Sequence, residues 1–146
     1  MEIKEFTQDE YSISTDPNKL QLDIIHNFLT YSYWAKDISK EKVKKSIDNS
    51  FCFGVYKVET QIGFARVVTD FATFTYIADV FILEEHRGKG LSKWLMKTIL
   101  SFEELQNLRG WMLKTWDAHG LYKQFGFEYP KYPERIMEFN PGQMKF

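Results

Sequence analysis

The chain has a single cysteine, Cys52, among its 146 residues. An intramolecular disulfide is therefore impossible, and a zinc site built on paired thiolates is excluded. Cys52 lies in the apolar run Phe51-Cys52-Phe53-Gly54-Val55, which predicts a small buried residue rather than a nucleophile. An excess of one charge is also missing, since 19 Lys and Arg stand against 20 Asp and Glu. A general nucleic-acid binder needs surplus cations for its phosphate contacts, so that class of partner is set aside. No apolar run approaches the roughly 20 residues needed to cross a bilayer. The opening Met1-Glu2-Ile3-Lys4-Glu5 lacks the apolar centre of a secretion signal. The expectation is a cytoplasmic protein with no membrane partner. There is no repeat, low-complexity tract or Pro/Gly/Ser-rich linker, so one domain over residues 1–146 is expected.

Hydrophobic periodicity supplies the elements. A short strand is expected at Tyr11–Ser14, then a turn at Asp16-Pro17-Asn18. Leu20, Ile24, Ile25, Phe28 and Leu29 repeat at helical spacing, and Ser39 is placed to cap a second helix from Lys40 to about Ile47. Between them, Tyr31-Ser32-Tyr33-Trp34-Ala35-Lys36 reads as a loop or helix end with three aromatics. Phe51 to Val58 and Gln61 to Thr69 read as strands joined by a hairpin at Glu59-Thr60. Thr75 to Leu83 is apolar on both faces apart from Asp79, which implies a strand covered on both sides. Leu91, Trp94, Leu95, Ile99 and Phe102 form the stripe of an amphipathic helix. Trp111 to Thr115 reads as a strand, and Ala118 to Phe125 as a short helix ended by Gly126. Phe127 to Phe139 is expected to supply one or two closing strands around Pro130 and Pro133. This order predicts an α/β (α+β) sandwich around a mixed sheet.

The sharpest change of character comes at Glu84-Glu85-His86-Arg87-Gly88-Lys89-Gly90. A buried strand runs into a basic loop with two glycines, and the loop opens a helix. Unpaired N–H groups of a first helical turn, together with the helix dipole, favour an anion there. Gly88 and Gly90 permit close approach, while Arg87 and Lys89 add charge. The segment lacks the Gly-Lys-Ser/Thr ending of a Walker loop and the spacing of a dinucleotide fingerprint. The competing reading is a surface turn with incidental Gly and Lys.

Arg87-Gly88-Lys89-Gly90-Leu91-Ser92 resembles the pyrophosphate motif of the GNAT (N-acetyltransferase) superfamily, Arg/Gln-x-x-Gly-x-Gly/Ala, with Ser92 at the last small position. Val80-Phe81-Ile82-Leu83 resembles the strand that leads into it. Ala118-His119-Gly120-Leu121-Tyr122-Lys123-Gln124-Phe125-Gly126-Phe127 resembles the family's A-x-x-L-Y-x-x-x-G-F helix and strand. The resemblance implies the GNAT fold, whose central mixed, mostly antiparallel sheet is flanked by helices and splayed between its fourth and fifth strands. It implies acetyl-CoA as co-substrate, with no metal. Main-chain groups of Phe81, Ile82 and Leu83 would meet the acetyl and pantetheine groups, and residues Arg87 to Ser92 the pyrophosphate. Where the family often has an Asn on the pantetheine arm, seven residues before the Tyr, this chain has Thr115, which keeps a hydroxyl.

Attack of an amine on a thioester needs a neutral amine, a polarised carbonyl and a protonated leaving group. A phenol with an ordinary pKa of roughly 10 holds its proton at neutral pH. Tyr122, at the family's general-acid position, is assigned to protonate the departing thiolate, with packing under the cofactor as the alternative. Asp79 is the one ionisable group in its strand. Burial raises a carboxyl's pKa, which suits a proton acceptor or an anchor for a cationic amine. A structural hydrogen bond to backbone, Tyr or Arg is the competing reading, and a water-mediated base stays open. Asp117 reads as a helix cap and His26 as structural, and His86 is given no chemistry.

Family members place acceptor specificity in the first two helices and their connecting loop, which implies Tyr33 and Trp34 as substrate-binding residues. Aromatic faces hold ammonium groups by cation–π attraction, although core or interface packing explains the same residues. The expected function is N-acetyl transfer from acetyl-CoA to a primary amine of a small molecule, by direct attack in a ternary complex. The alternative is a non-catalytic acyl-CoA sensor or interaction module. The aromatic arm from Tyr129 through Phe146 suggests a homodimer.

Overall fold

The computed structural model describes residues 1–143. Contacts divide the chain into two compact units, Met1–Thr115 and a second beginning at Trp116. The first is built on six strands that neighbour one another in sequence order: β1 (Glu5–Gln8), β2 (Tyr11–Ser14), β3 (Phe51–Lys57), β4 (Thr60–Thr69), β5 (Phe74–Ile82) and β6 (Gly110–Leu113). The first five pair antiparallel and β6 lies parallel to β5, so the sheet is mixed and mostly antiparallel. β6 pairs with β5 only from Phe74 to Ile77. Past that point β5 runs on to Ile82 without a ladder partner on that side. This is the expected splay. It falls between the fifth and sixth strands because β1, which the sequence reading did not foresee, shifts the count by one.

Two helices cover one face. α1 (Leu22–Thr30) buries Ile25 and Leu29, and α2 (Lys40–Asp48) buries Val43 and Ile47. These pack with Cys52, Phe64 and Phe81 of the sheet. Ser39 caps α2, its Oγ accepting from the Lys42 N–H at 3.2 Å. α1 has no such cap. Its first turn is pinned instead by a reciprocal pair, the Gln21 N–H donating to Gln61 Oε1 at 2.7 Å and the Gln61 N–H to Gln21 Oε1 at 3.1 Å. Strand alternation sends Phe51 and Phe53 to the opposite face, where Phe102 meets them edge-on at 5.1 and 5.4 Å. Phe102 follows α3 (Leu91–Leu100), whose buried stripe is Leu91, Leu95, Met96, Thr98 and Ile99. Cys52 is buried as its run predicted, and burial pushes its thiol up to about 12.

The second unit holds α4 (His119–Lys123), which is shorter than the predicted Ala118 to Phe125. Gly126, at φ +92°, ends it, and the Phe127 N–H returns to the Tyr122 carbonyl at 3.2 Å. Two expectations fail here. Ala118 occupies the N-cap position, so the helix starts one residue too late for Asp117 to cap it. The closing strands expected over Phe127 to Phe139 do not form among the described residues. Pro130 and Pro133 have no N–H to give a ladder, and Pro133–Arg135 makes a single 3-10 turn instead. The end of the predicted dimerisation arm, Phe146, lies outside the described residues. No described helix is long and apolar enough to cross a membrane.

Candidate functional site

β5 is not a regular strand. Its register against β4 passes from Phe64↔Phe81 to Arg66↔Ala78, which leaves one extra residue on β5. Asp79 takes up that residue at φ +54°. A left-handed conformation costs an L-residue about 1–2 kcal/mol, and Asp tolerates it better than most. Such a bulge turns side chains out of the pleat and interrupts pairing. Across the ladder, Gly63 meets β5 closely. A Cβ there would lie 3.0 Å from the Phe81 carbonyl oxygen and 2.6 Å from Ile82 Cδ1, so only glycine lets the two strands approach beside the bulge.

Asp79 is held from two sides. Arg66 Nε donates to Oδ2 at 2.7 Å and Trp34 Nε1 to Oδ1 at 3.0 Å. Arg66 Nη1 also donates to Ser50 Oγ at 3.2 Å. The side chains of Arg66 and Asp79 are 20% and 11% exposed, so this ion pair is largely sheltered from water. The loop between α1 and α2 is thereby brought to β5, and two predicted site residues, Trp34 and Asp79, come together. Tyr33 stands edge-on to Trp34 with ring centroids 5.1 Å apart. Phe28 joins the group, tilted against Trp34 at 6.0 Å and stacked on Phe81 at 4.0 Å. Tyr33 and Trp34 stay exposed, with ring surface available to a ligand.

β5 then delivers the chain to the glycine loop. The Leu83 N–H donates to the Ile62 carbonyl at 2.8 Å, and Glu84–His86 forms one 3-10 turn. Gly88 and Gly90 follow at φ +80° and +76°, with Gly90 as the N-cap of α3. A Cβ at either glycine would meet no atom within 4 Å. The conformation demands glycine there, and the space over the backbone is open to a ligand. The first α3 N–H to turn back is that of Trp94, to the Gly90 carbonyl; the preceding N–H groups point out of the helix end. Outward-facing N–H groups at a helix start favour an anion. Arg87 is anchored by its Nε, which donates to the Ile82 carbonyl at 2.9 Å. Leu91 is buried and Ser92 half-buried in the opening turn. Thr115, half-buried, lies two residues past the end of β6. Tyr122 is buried and belongs to α4 of the second unit.

Three residues of this region were not anticipated: Tyr11, Arg66 and Gly63. Tyr11 reaches the loop from β2, its hydroxyl 3.0 Å from His86 Nδ1 and accepting from Lys89 Nζ at 3.2 Å. His26 takes its structural role, with Nε2 3.0 Å from the Ile38 carbonyl.

Comparisons with known proteins identify the family and the fold. A family model described as an acetyltransferase (GNAT) domain matches residues 48–129. A provisionally named acetyltransferase of Gibberella zeae is 36% identical over 140 residues, covering 80% of this chain and 78% of that one. Among solved structures, an acetyltransferase provisionally assigned to the GNAT family from Xanthomonas campestris pv. campestris superposes with a TM-score of 0.87. It shares 46% identity and covers 91% of this chain and 95% of its own. A GNAT family acetyltransferase from Elizabethkingia anophelis, solved with acetyl-CoA bound, shares the fold at a TM-score of 0.64 and 16% identity, over 92% of each chain. The span matched by the family model contains the bulged strand, the glycine loop and Tyr122, and the chain belongs to the GNAT acetyltransferases.

Proposed function

We propose that this chain transfers the acetyl group of acetyl-CoA to a primary amine of a small molecule, by direct attack in a ternary complex. The observation that carries the reading is the glycine loop, where two left-handed glycines and a helix start leave open space over main-chain N–H groups. The acetyl-CoA bound to the Elizabethkingia anophelis relative supports the same ligand here. Lys89, Arg87 and the N–H groups opening α3 take the pyrophosphate charge. Along Phe81, Ile82 and Leu83, where β6 no longer covers the side of β5, the main-chain groups other than the Leu83 N–H and the Ile82 carbonyl, which already bond Ile62 and Arg87, are offered to the pantetheine and acetyl groups, and Thr115 adds its hydroxyl.

When bound, acetyl-CoA supplies the thioester carbonyl that a neutral amine attacks. The amine lone pair forms the new carbon–nitrogen bond as the carbon–sulfur bond breaks, and Tyr122 gives its phenolic proton to the departing sulfur. The proton lost from nitrogen passes to water, and solvent reprotonates Tyr122. Both carboxylate oxygens of Asp79 already accept hydrogen bonds. Its part in this scheme is to hold Trp34 and the bulge in place, while Tyr33 and Trp34 face the acceptor. A homodimer through the arm beginning at Tyr129 and residence in the cytoplasm complete the proposal.

The test is release of free CoA thiol from acetyl-CoA in the presence of amino acids, polyamines, aromatic amines and short peptides. Amine-dependent release that falls about a hundredfold in Tyr122→Phe, at an acetyl-CoA affinity within threefold of wild type, is the expected result. Acetyl-CoA binding without release for any amine in the panel would point to the sensor instead.

A further inference from the structure

We propose that Tyr11 is a positioning residue for the pyrophosphate of the co-substrate, acting from a neighbouring strand through Lys89 and His86. The inference rests on the acetyl-CoA reading above and extends it to a residue outside the motif. In an antiparallel sheet the start of β2, the end of β3, the start of β4 and the end of β5 share one end, and the glycine loop leaves β5 at that end. Tyr11 is the first residue of β2, paired with Lys57 of β3 and Gln8 of β1. It is only 7% exposed, yet its hydroxyl reaches two loop side chains on either side of Arg87-Gly88.

The chemistry of the groups sets the direction of the Lys89 bond. An ammonium only donates, so the Tyr11 oxygen accepts from Lys89. The single phenolic hydrogen can go to His86 Nδ1 when the imidazole carries its proton on Nε2, and with the proton on Nδ1 the same oxygen accepts from it instead. The Lys89 ammonium also lies 5.7 Å over the Tyr11 ring, and the His86 ring packs edge-on to it at 5.9 Å. One hydroxyl thus fixes both side chains. Lys89 stands on an exposed stretch of loop and loses rotamer freedom on meeting a phosphate. A hydrogen bond already in place removes part of that loss before binding. Two ammonium hydrogens remain for the ligand.

The experiment is calorimetric titration of wild type, Tyr11→Phe, Lys89→Met and the double variant with two ligands, acetyl-CoA and S-acetylpantetheine. The second carries the thioester and pantetheine but no pyrophosphate. Phe keeps the ring packing and loses only the hydroxyl. Tyr11→Phe should weaken acetyl-CoA about five- to tenfold and leave S-acetylpantetheine within twofold of wild type. In the double variant the acetyl-CoA loss should not exceed that of Lys89→Met alone by more than about twofold, because the hydroxyl then has no ammonium to hold. Equal weakening of both ligands, or losses that multiply in the double variant, would overturn the role by showing a general packing effect. Undiminished acetyl-CoA binding by Tyr11→Phe overturns the Tyr11 role alone. Failure of wild type to bind acetyl-CoA overturns the co-substrate reading, and the Tyr11 role with it.

Discussion

The guanidinium of Arg66 and the carboxylate of Asp79 meet at 2.7 Å where β4 and β5 lose register. Asp79 is the extra residue of that bulge and carries its left-handed conformation. The ion pair and the indole bond from Trp34 therefore hold a strained backbone in place and tie it to the α1–α2 loop. Replacing Arg66 by Met strips a mostly sheltered carboxylate of its partner. The expected loss is about 2–4 kcal/mol of unfolding free energy, read by urea denaturation. Trp34→Phe, which removes one hydrogen bond and keeps an aromatic ring, should cost about 1 kcal/mol. An Arg66→Met variant as stable as wild type would mean that the bulge stands without the pair.

Three glycines should respond to alanine for different reasons. At Gly88 and Gly90 only the positive φ is violated, since a Cβ meets no atom, and each change should cost about 1 kcal/mol. At Gly63 a Cβ collides with the Ile82 side chain and presses on the Phe81 carbonyl, so overpacking should cost about 2–3 kcal/mol. Thermal unfolding of the three variants checks the order. A Gly63→Ala protein no less stable than Gly90→Ala would contradict it.

Trp34 and Tyr33 lie on the acceptor side of the proposed site. Trp34→Leu should raise KM for the best amine about tenfold while KM for acetyl-CoA stays within twofold, as measured by initial rates with each substrate varied in turn. A rise confined to acetyl-CoA would move the aromatic pair to the other half of the reaction.

Two buried acids predict how stability changes in alkali. Burial lifts the Cys52 thiol from 9.0 to about 12 and raises the Tyr56 phenol well above its ordinary 10.0. The Tyr56 hydroxyl is buried without a hydrogen-bond partner among the described residues. In the unfolded chain both groups lose their protons at lower pH than in the folded one. The unfolded state therefore binds fewer protons, and stability falls as pH rises from about 9 towards 12. Cys52→Ala should flatten the first part of that decline. Cys52 should also resist a thiol reagent at pH 8 until the protein unfolds.

How far the sequence could be read depended on how local each interaction is. Arg87-Gly88-Lys89-Gly90 was legible because conformation and chemistry sit in four consecutive residues, and the two glycines do take the left-handed conformation with open space above them. Asp79 stood out as the lone acid of an apolar strand. Its partners did not, because Arg66 and Trp34 are brought to it by strand pairing and a helix–loop turn that periodicity cannot show. The Tyr11 contacts span 75 and 78 residues, beyond any local signal. β1 was missed because Glu5-Phe6-Thr7-Gln8 is an edge strand with one apolar side chain. The opposite error came at Phe127 to Phe139, where one or two closing strands were expected and the two prolines withhold the donors a ladder needs.

The central claim is that the glycine loop binds acetyl-CoA. Thermal unfolding of wild type and Gly90→Asp, each with and without acetyl-CoA, tests it most directly. Ligand at about 100 times its dissociation constant adds roughly 2.7 kcal/mol to the folded state, a rise of several degrees. Gly90→Asp combines an unfavourable φ with a carboxylate at the helix start, where it repels the pyrophosphate. The account predicts a rise for wild type and none for the variant. Equal rises in both proteins would contradict the loop as the binding site, and no rise in either, with no binding by direct titration, would contradict the acetyl-CoA assignment itself.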